Sequence, residues 1–363
     1  MAEIAESCPS VGNVKHELPV SWAAELSEYS TSLSVSSDST LVAVGTAAGE
    51  LCVFETQTGA LRFRVDAHPG GIFAVEWSPK ERLLASAGQD GNARIYDAEG
   101  KQLAALPGGS AWVEYLAWSP NGKWLATAAG RIARLWTSSG APLLETQPHE
   151  SALTGLAWNR NSTELATACY GGVRLFEVGE RAHSKHLAWP GSLISLSWSP
   201  TGSVIACGTH ERSVHFWRLR SGRESEMSGF AAKPRALEWD TEGRLLATSG
   251  DSTISVWSFD GKGPEGKPPI ELIGHRALCT TLAFHPKSPR LASGSDDTGV
   301  LIWEPRNQRT PLGFGFLEET VTALAWAHGG RLLIGSDAMG TLRAWDVERL
   351  PAKPTSGTLA PAT

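Results

Sequence analysis

The chain has 363 residues, 41% of them hydrophobic and 19% charged, with a formal net charge of −6 and an isoelectric point near 6.0. That is ample for a folded core, and the acidic balance argues against a protein that binds nucleic acid or anionic lipid over its whole surface. Five cysteines (Cys8, Cys52, Cys169, Cys207 and Cys279) are odd in number, scattered and never paired as Cys-x-x-Cys, which argues against a disulfide framework or a thiolate zinc cluster.

The predicted elements repeat. Arg290 to Glu304 reads as an apolar pair, a small polar turn (Ser293 to Gly299) and a β-branched run ending in Trp303: strand, tight turn, strand. The same stretch recurs eight times, closing in order on Phe54, Tyr96, Trp136, Phe176, Trp217, Trp257, Trp303 and Trp345, with gaps of 42, 40, 40, 41, 40, 46 and 42 residues. A second series keeps the same period: Val35, Trp77, Trp118, Trp158, Trp198, Trp239, Phe284 and Trp326. Two series in step point to repeats. After the second anchor comes a turn such as Ser119-Pro120-Asn121-Gly122 or Ser199-Pro200-Thr201-Gly202. A weaker fourth strand follows the closing aromatic, as at Leu61 to Val65 and Gln102 to Leu106. The widest gap holds a Gly/Pro-rich insertion, Gly261 to Pro269, between third and fourth strands: a tolerated surface loop or a partner-specific one.

A four-stranded sheet of about 40 residues cannot bury both faces alone, and radial stacking of neighbours solves this. With its closing dipeptide intact as Trp345-Asp346 and altered as Tyr96-Asp97, the pattern resembles the WD40 repeat family. The resemblance covers residues 31–350 and implies an all-β fold, an eight-bladed β-propeller, eight being preferred to seven. A single propeller is expected over 13–350, with repeats near 31–68, 70–108, 110–149, 151–190, 191–230, 232–275, 276–319 and 320–350. Tails at 1–12 and 352–363 read as disordered. After Trp345-Asp346 the chain is a poor strand former, so the last blade lacks its outer strand. Counting back from Val35 puts a spare strand at Pro19 to Ala23, which is predicted to close the ring.

The resemblance also implies a structural tetrad of His, Ser, Asp and aromatic in each blade. Two repeats carry it whole: His275, Ser293, Asp297 and Trp303, and His68, Ser86, Asp90 and Tyr96. The same residue types make a hydrolytic triad, but a hydrolase needs one privileged site with an oxyanion hole, and this set recurs with the repeat. Buried hydrogen-bonded chains that pin a turn are the expected role. Elsewhere members are lost: Asp251 stands without the His, His149 without the Asp, and Gly130 replaces the Asp.

Cys169, His149 and His210 are placed on one face of neighbouring blades and form the alternative candidate, a metal or enzymatic site; otherwise no metal and no cofactor is expected. Basic residues such as Lys80, Arg82, Arg218, Arg244 and Arg306 fall in the turns of one face. Acidic ones such as Asp66, Glu150, Asp251, Glu318 and Asp337 fall on the other, which predicts a polarised disc. Trp112 lies outside both anchor series, beside Glu114 and Tyr115, where a rigid aromatic suits a binding hot spot. The function expected is a non-catalytic scaffold for protein–protein interactions, binding through its upper face with Trp112, His149, His210, Glu211, Arg212 and Met339. Its partners are proteins or peptides, not membrane or nucleic acid, and it is a monomeric propeller within a complex. No basic start followed by an apolar block and no run of 18 apolar residues is present, so no signal peptide or membrane span is read and the expected location is cytoplasmic.

Overall fold

The computed structural model describes residues 16–180, 183, 185–348 and 350; the two predicted tails lie outside the described residues. Strands form where the two anchor series require them. In the second repeat they are Ile72–Trp77, Leu83–Gly88, Asn92–Asp97 and Gln102–Pro107. In the seventh they are Cys279–Phe284, Leu291–Ser295, Gly299–Trp303 and Gly313–Phe316. Each repeat is one antiparallel sheet, and the eight sheets are the blades of a ring. The first strands of successive blades touch one another around the ring and form its inner wall, and the fourth strands form the rim.

The turn from first to second strand has a recurrent local cause. The side chain just after the first-strand anchor accepts a hydrogen bond from the N–H five residues on: Ser36 from Leu41, Ser119 from Trp124, Ser199 from Val204 and Asp240 from Leu245, each at 3.0 Å. Three residues after that acceptor the backbone is left-handed, at Gly122 and Gly202 (φ 72 for both). Glycine fills that conformation without strain, which is why the sequence writes Pro-x-Gly there.

The core lies between blades. One cluster joins Trp22, Val42, Val44, Phe54, Ile334 and Leu342 from blades eight and one, and another joins Ile254, Leu272, Leu291 and Trp303 from blades six and seven. Innermost strands are sheet edges with unpaired backbone groups. Neighbouring blades satisfy some of them: the Trp118, Trp158 and Trp326 indoles donate to the carbonyls of Glu76, Ala117 and Ala283 one blade back, at 3.1, 2.9 and 3.0 Å. In return Ser34 Oγ and a Glu76 carboxylate oxygen accept from the N–H of Trp77 and Trp118, both at 3.0 Å. Trp118, Trp158 and Trp326 are therefore blade-to-blade hydrogen-bond donors as well as packing residues, whereas the indole N–H groups of Trp77, Trp198 and Trp239 are buried without a partner.

Blade four departs from the pattern. Its middle element, Glu164–Glu177, runs unbroken through Gly171 (φ 92) and Gly172 (φ 129), with Leu165 to Ala168 paired to the first strand and Val173 to Leu175 to the outer one.

The ring closes through its N-terminal segment. Val20–Glu25 pairs antiparallel with Thr341–Asp346 and supplies the outer strand of blade eight. Trp22 drives its indole N–H onto the Thr56 carbonyl of blade one at 2.6 Å, and a side chain at Gly59 would strike the Trp22 ring at 2.7 Å. Just before this strand, Glu17 forms a parallel bridge to Phe314 on the outer strand of blade seven, a contact the sequence does not signal.

The insertion in blade six is fastened. Arg218 of blade five grips the Glu265 carboxylate (2.8 Å), donates to the Lys262 carbonyl (2.9 Å) and lies over the Phe216 and Phe259 rings. The predicted basic face needs correction for the same reason. Arg218, Arg306, Arg82 and Arg331 are each paired with a carboxylate on that face (Glu265, Asp260, Asp38 and Asp346), so it is mixed in charge. Asp337, counted with the acidic face, is fully buried and accepts from four backbone N–H groups of its own turns.

Candidate interaction face

Antiparallel pairing sends the second-to-third turns and the loops into each new blade to one face, here called upper. The two complete tetrads sit beneath it. His275 Nε2 meets Ser293 Oγ at 2.7 Å, its Nδ1 meets Asp297 at 3.2 Å, and the Trp303 indole donates to Ser293 Oγ at 2.8 Å. In blade two His68 Nε2 meets Ser86 at 2.7 Å and its Nδ1 meets Asp90 at 2.8 Å, while the Tyr96 hydroxyl takes the tryptophan's part against Ser86. Burial alone would raise the Asp90 carboxyl, but hydrogen bonds from Arg94 and His68 outweigh it and hold it at about 2. Asp297 is likewise held far below the usual carboxylate range. The atom order is that of a hydrolytic triad, yet Ser86 and Ser293 are wholly buried and each hydroxyl is already engaged on two sides. No substrate carbonyl reaches them, so these chains hold turns.

His149 is a correction. The sequence places it on the upper surface, but it is fully buried, with Nε2 on Thr167 Oγ1 at 2.8 Å and Nδ1 on the Arg131 carbonyl at 3.0 Å. It fills the tetrad histidine position of blade four with threonine in the serine's place. The Cys169, His149 and His210 alternative is also not assembled. Cys169 is buried with its thiol on the Tyr170 carbonyl, and His210 Nε2 meets Lys233 Nζ at 2.7 Å. Among the described residues no three His, Cys, Asp or Glu side chains converge as a metal site.

The remaining assigned residues are exposed. Trp112 is 54% and Met339 67% accessible, and His210, Glu211 and Arg212 project from the blade-five turn, Arg212 with a left-handed φ of 63. The structure does not gather them into one site. Trp112 stacks on Phe73, with centroids 5.6 Å apart, at the inner edge of blades two and three. Met339 stands on the blade-eight turn, whose Gly340 lies against the Glu28 carbonyl beside exposed Tyr29. His210 to Arg212 lie on blade five. The family model described as WD domain, G-beta repeat, matches residues 59–97, 100–137, 182–218, 226–258 and 266–304, just over half of the chain.

The chain belongs to the WD40 repeat family. The matched WD40 segments supply the first three strands of blades two, three, five, six and seven; those of blades one, four and eight fall outside the matches. Among curated relatives, THO complex subunit 3 of Arabidopsis thaliana is 25% identical over 61% of this chain and 72% of its own length. The WD repeat-containing protein slp1 of Schizosaccharomyces pombe is 22% identical over 64% of this chain and 49% of its own. Telomerase protein component 1 of Mus musculus is 24% identical over 90% of this chain but only 12% of its own length. This WD40 chain thus corresponds to a fraction of some of its relatives. The crystal structure of the computationally designed Ika8 protein superposes with a TM-score of 0.78 at 21% identity, over 92% of this chain and all of that one, which shows the fold.

The WD40 register also exposes residues that sequence reasoning missed. Trp112 lies six residues before its first-strand anchor, Trp118. Three of the seven equivalent positions hold large side chains, Tyr29 before Val35, Lys233 before Trp239 and Leu278 before Phe284, and the other four hold Gly71, Ala152, Ser192 and Thr320. Tyr29 and Leu278 are exposed on the same face as Trp112. Counting back from every anchor would have found this ring of positions.

Proposed function

We propose that this WD40 propeller is a non-catalytic scaffold that binds proteins through its upper face, as a monomeric disc within a larger complex. The observation that carries the reading is the set of large apolar side chains held in solvent on that face: Tyr29, Trp112, Leu278 and Met339. Rigid aromatics on a rigid scaffold bury area on binding at small entropic cost. The description of one relative as a subunit of a complex agrees with such a role. The buried serines of the two tetrads agree with a protein that does no hydrolysis there. A cytoplasmic setting is part of the proposal, supported by four buried free thiols.

The test is affinity capture from the native cell with the wild type and with Trp112→Ala and Met339→Ser. Loss of about 2 kcal/mol or more of affinity for a captured protein, with melting unchanged within about 1 kcal/mol, is the expected result. Equal capture by all three proteins removes the upper-face reading.

A further inference from the structure

The upper face is chemically divided across the central channel. On blades one to three it carries Tyr29, Phe73 and Trp112. On the far side, the blade-five turn and the loop into blade six carry Arg212, Lys233 and Arg235. These two segments pack directly together: a side chain at Gly208 would strike the Pro234 carbonyl, and Ser195 Oγ bonds that same carbonyl at 3.2 Å.

The three cations differ from arginines on the third strands of blades two, four and eight. Arg94, Arg174 and Arg343 are each neutralised by a carboxylate, Asp90, Glu150 and Glu318. Arg131 donates to the His149 carbonyl. Among the described residues, Arg212, Lys233 and Arg235 have no ion-pair partner; Lys233 has only the His210 ring, at 2.7 Å. Glu211, the nearest acidic residue in sequence, turns away, its carboxylate standing over Gly191 beside the Trp189 indole of blade four. Burial, and then Glu114, push the Tyr115 hydroxyl of blade three up, and the Arg235 charge pulls it down. Unpaired like charges crowded on two adjoining loops repel one another, and an anionic partner relieves that repulsion.

We infer that the partner presents an acidic, extended peptide segment that crosses the channel mouth, its carboxylates over Arg212, Lys233 and Arg235 and an apolar residue against Trp112 and Phe73. This rests on the upper-face reading above and names the chemistry of its partner. The acidic net charge of the whole chain does not oppose it, because the field at a surface site is set by charges within about 10 Å.

The experiment is selection of a random peptide library on the immobilised full chain, followed by affinity measurements on the enriched peptides. Enriched peptides should carry net negative charge and at least one aromatic or leucine. Their affinity should fall about tenfold with Lys233→Glu/Arg235→Glu, at one half-buried and one exposed site and with melting measured as the folding control, and should weaken with added salt. Peptides of neutral or positive charge, or ones that bind the double variant as well as the wild type, overturn the inference. Should they depend on Trp112 but not on Lys233 and Arg235, the upper-face reading survives and this inference alone falls; dependence on neither removes both. An oligouridylate probe that binds through the same cations while no acidic peptide is enriched also overturns it, in favour of a nucleic acid.

Discussion

The backbone N–H of Leu18 donates to the carbonyl of Phe314 at 2.8 Å, and Phe314 donates back to His16 at 3.0 Å. The N-terminal segment is therefore tied to blade seven before it crosses to blade eight. Leu18 itself is buried, in a cluster with Trp345, Val347 and Leu350. Leu18→Ala is expected to cost about 2–4 kcal/mol by leaving a cavity at this double tie. Val20→Ser, at an exposed position in the next strand, should stay within about 0.5 kcal/mol. Chemical denaturation separates the two, and equal effects would show that the tie to blade seven carries no stability.

Asp297 accepts from His275, from the Arg276 N–H at 2.6 Å and from the Gly299 N–H at 2.9 Å. Asp251, at the corresponding turn of blade six, is exposed and has no histidine to hold. Asp297→Ala should therefore destabilise by about 2–4 kcal/mol, since hydrogen bonds to a charged group contribute most and its donors are left unpaired. Asp251→Ala should be neutral. Thermal melting of the two variants checks this, and a similar loss for both would mean that the histidine adds nothing.

Glu76 and Glu238 lie on the inner strands of blades two and six, each accepting a backbone N–H from the next blade. Burial raises both carboxyls to about 7 even though those hydrogen bonds pull down. A carboxyl whose folded pKa is raised binds its proton more tightly in the fold than in the unfolded chain. Its contribution is fully present below the unfolded value of about 4.5 and is lost as pH rises through about 7. Glu76→Gln keeps an acceptor for Trp118 and has no proton to lose. Its melting temperature should match the wild type near about pH 4.5 and exceed it by a margin that grows toward about pH 8. A pH-independent difference would show that Glu76 does not titrate in this window.

The Gly261 to Pro269 loop hangs on the Arg218–Glu265 pair, which is partly exposed. Arg218→Ala should cost only about 1 kcal/mol in global stability. It should nonetheless speed tryptic cleavage after Lys262, whose carbonyl Arg218 holds at 2.9 Å. Mass spectrometry of a limited digest reads the cut, and an unchanged rate would show that the loop is held by other contacts.

The blades were legible because the two anchor series are local. A strand's alternation, the Ser-Pro-x-Gly turn and the closing aromatic each lie within one repeat, and their period survives where single members drift, as at Phe176 and Val35. The tetrads were legible for the same reason: fixed spacing inside a repeat brings His275, Ser293, Asp297 and Trp303 to one turn. The spare strand near Pro19 could be counted because the ring must close. Contacts between blades left no such trace. Nothing in the sequence says that Arg218 reaches Glu265, that Trp158 donates to Ala117, that His149 is sealed under Thr167 or that Glu17 pairs with Phe314. These depend on which loop leans on which neighbour, and that is fixed by three-dimensional packing. Sequence by itself thus determined the number and order of the blades and how the ring closes. The tertiary structure decided which charges are neutralised, which histidines are buried and which side chains remain in solvent on the upper face, because pairing and burial are properties of neighbours that the chain brings together only when it folds.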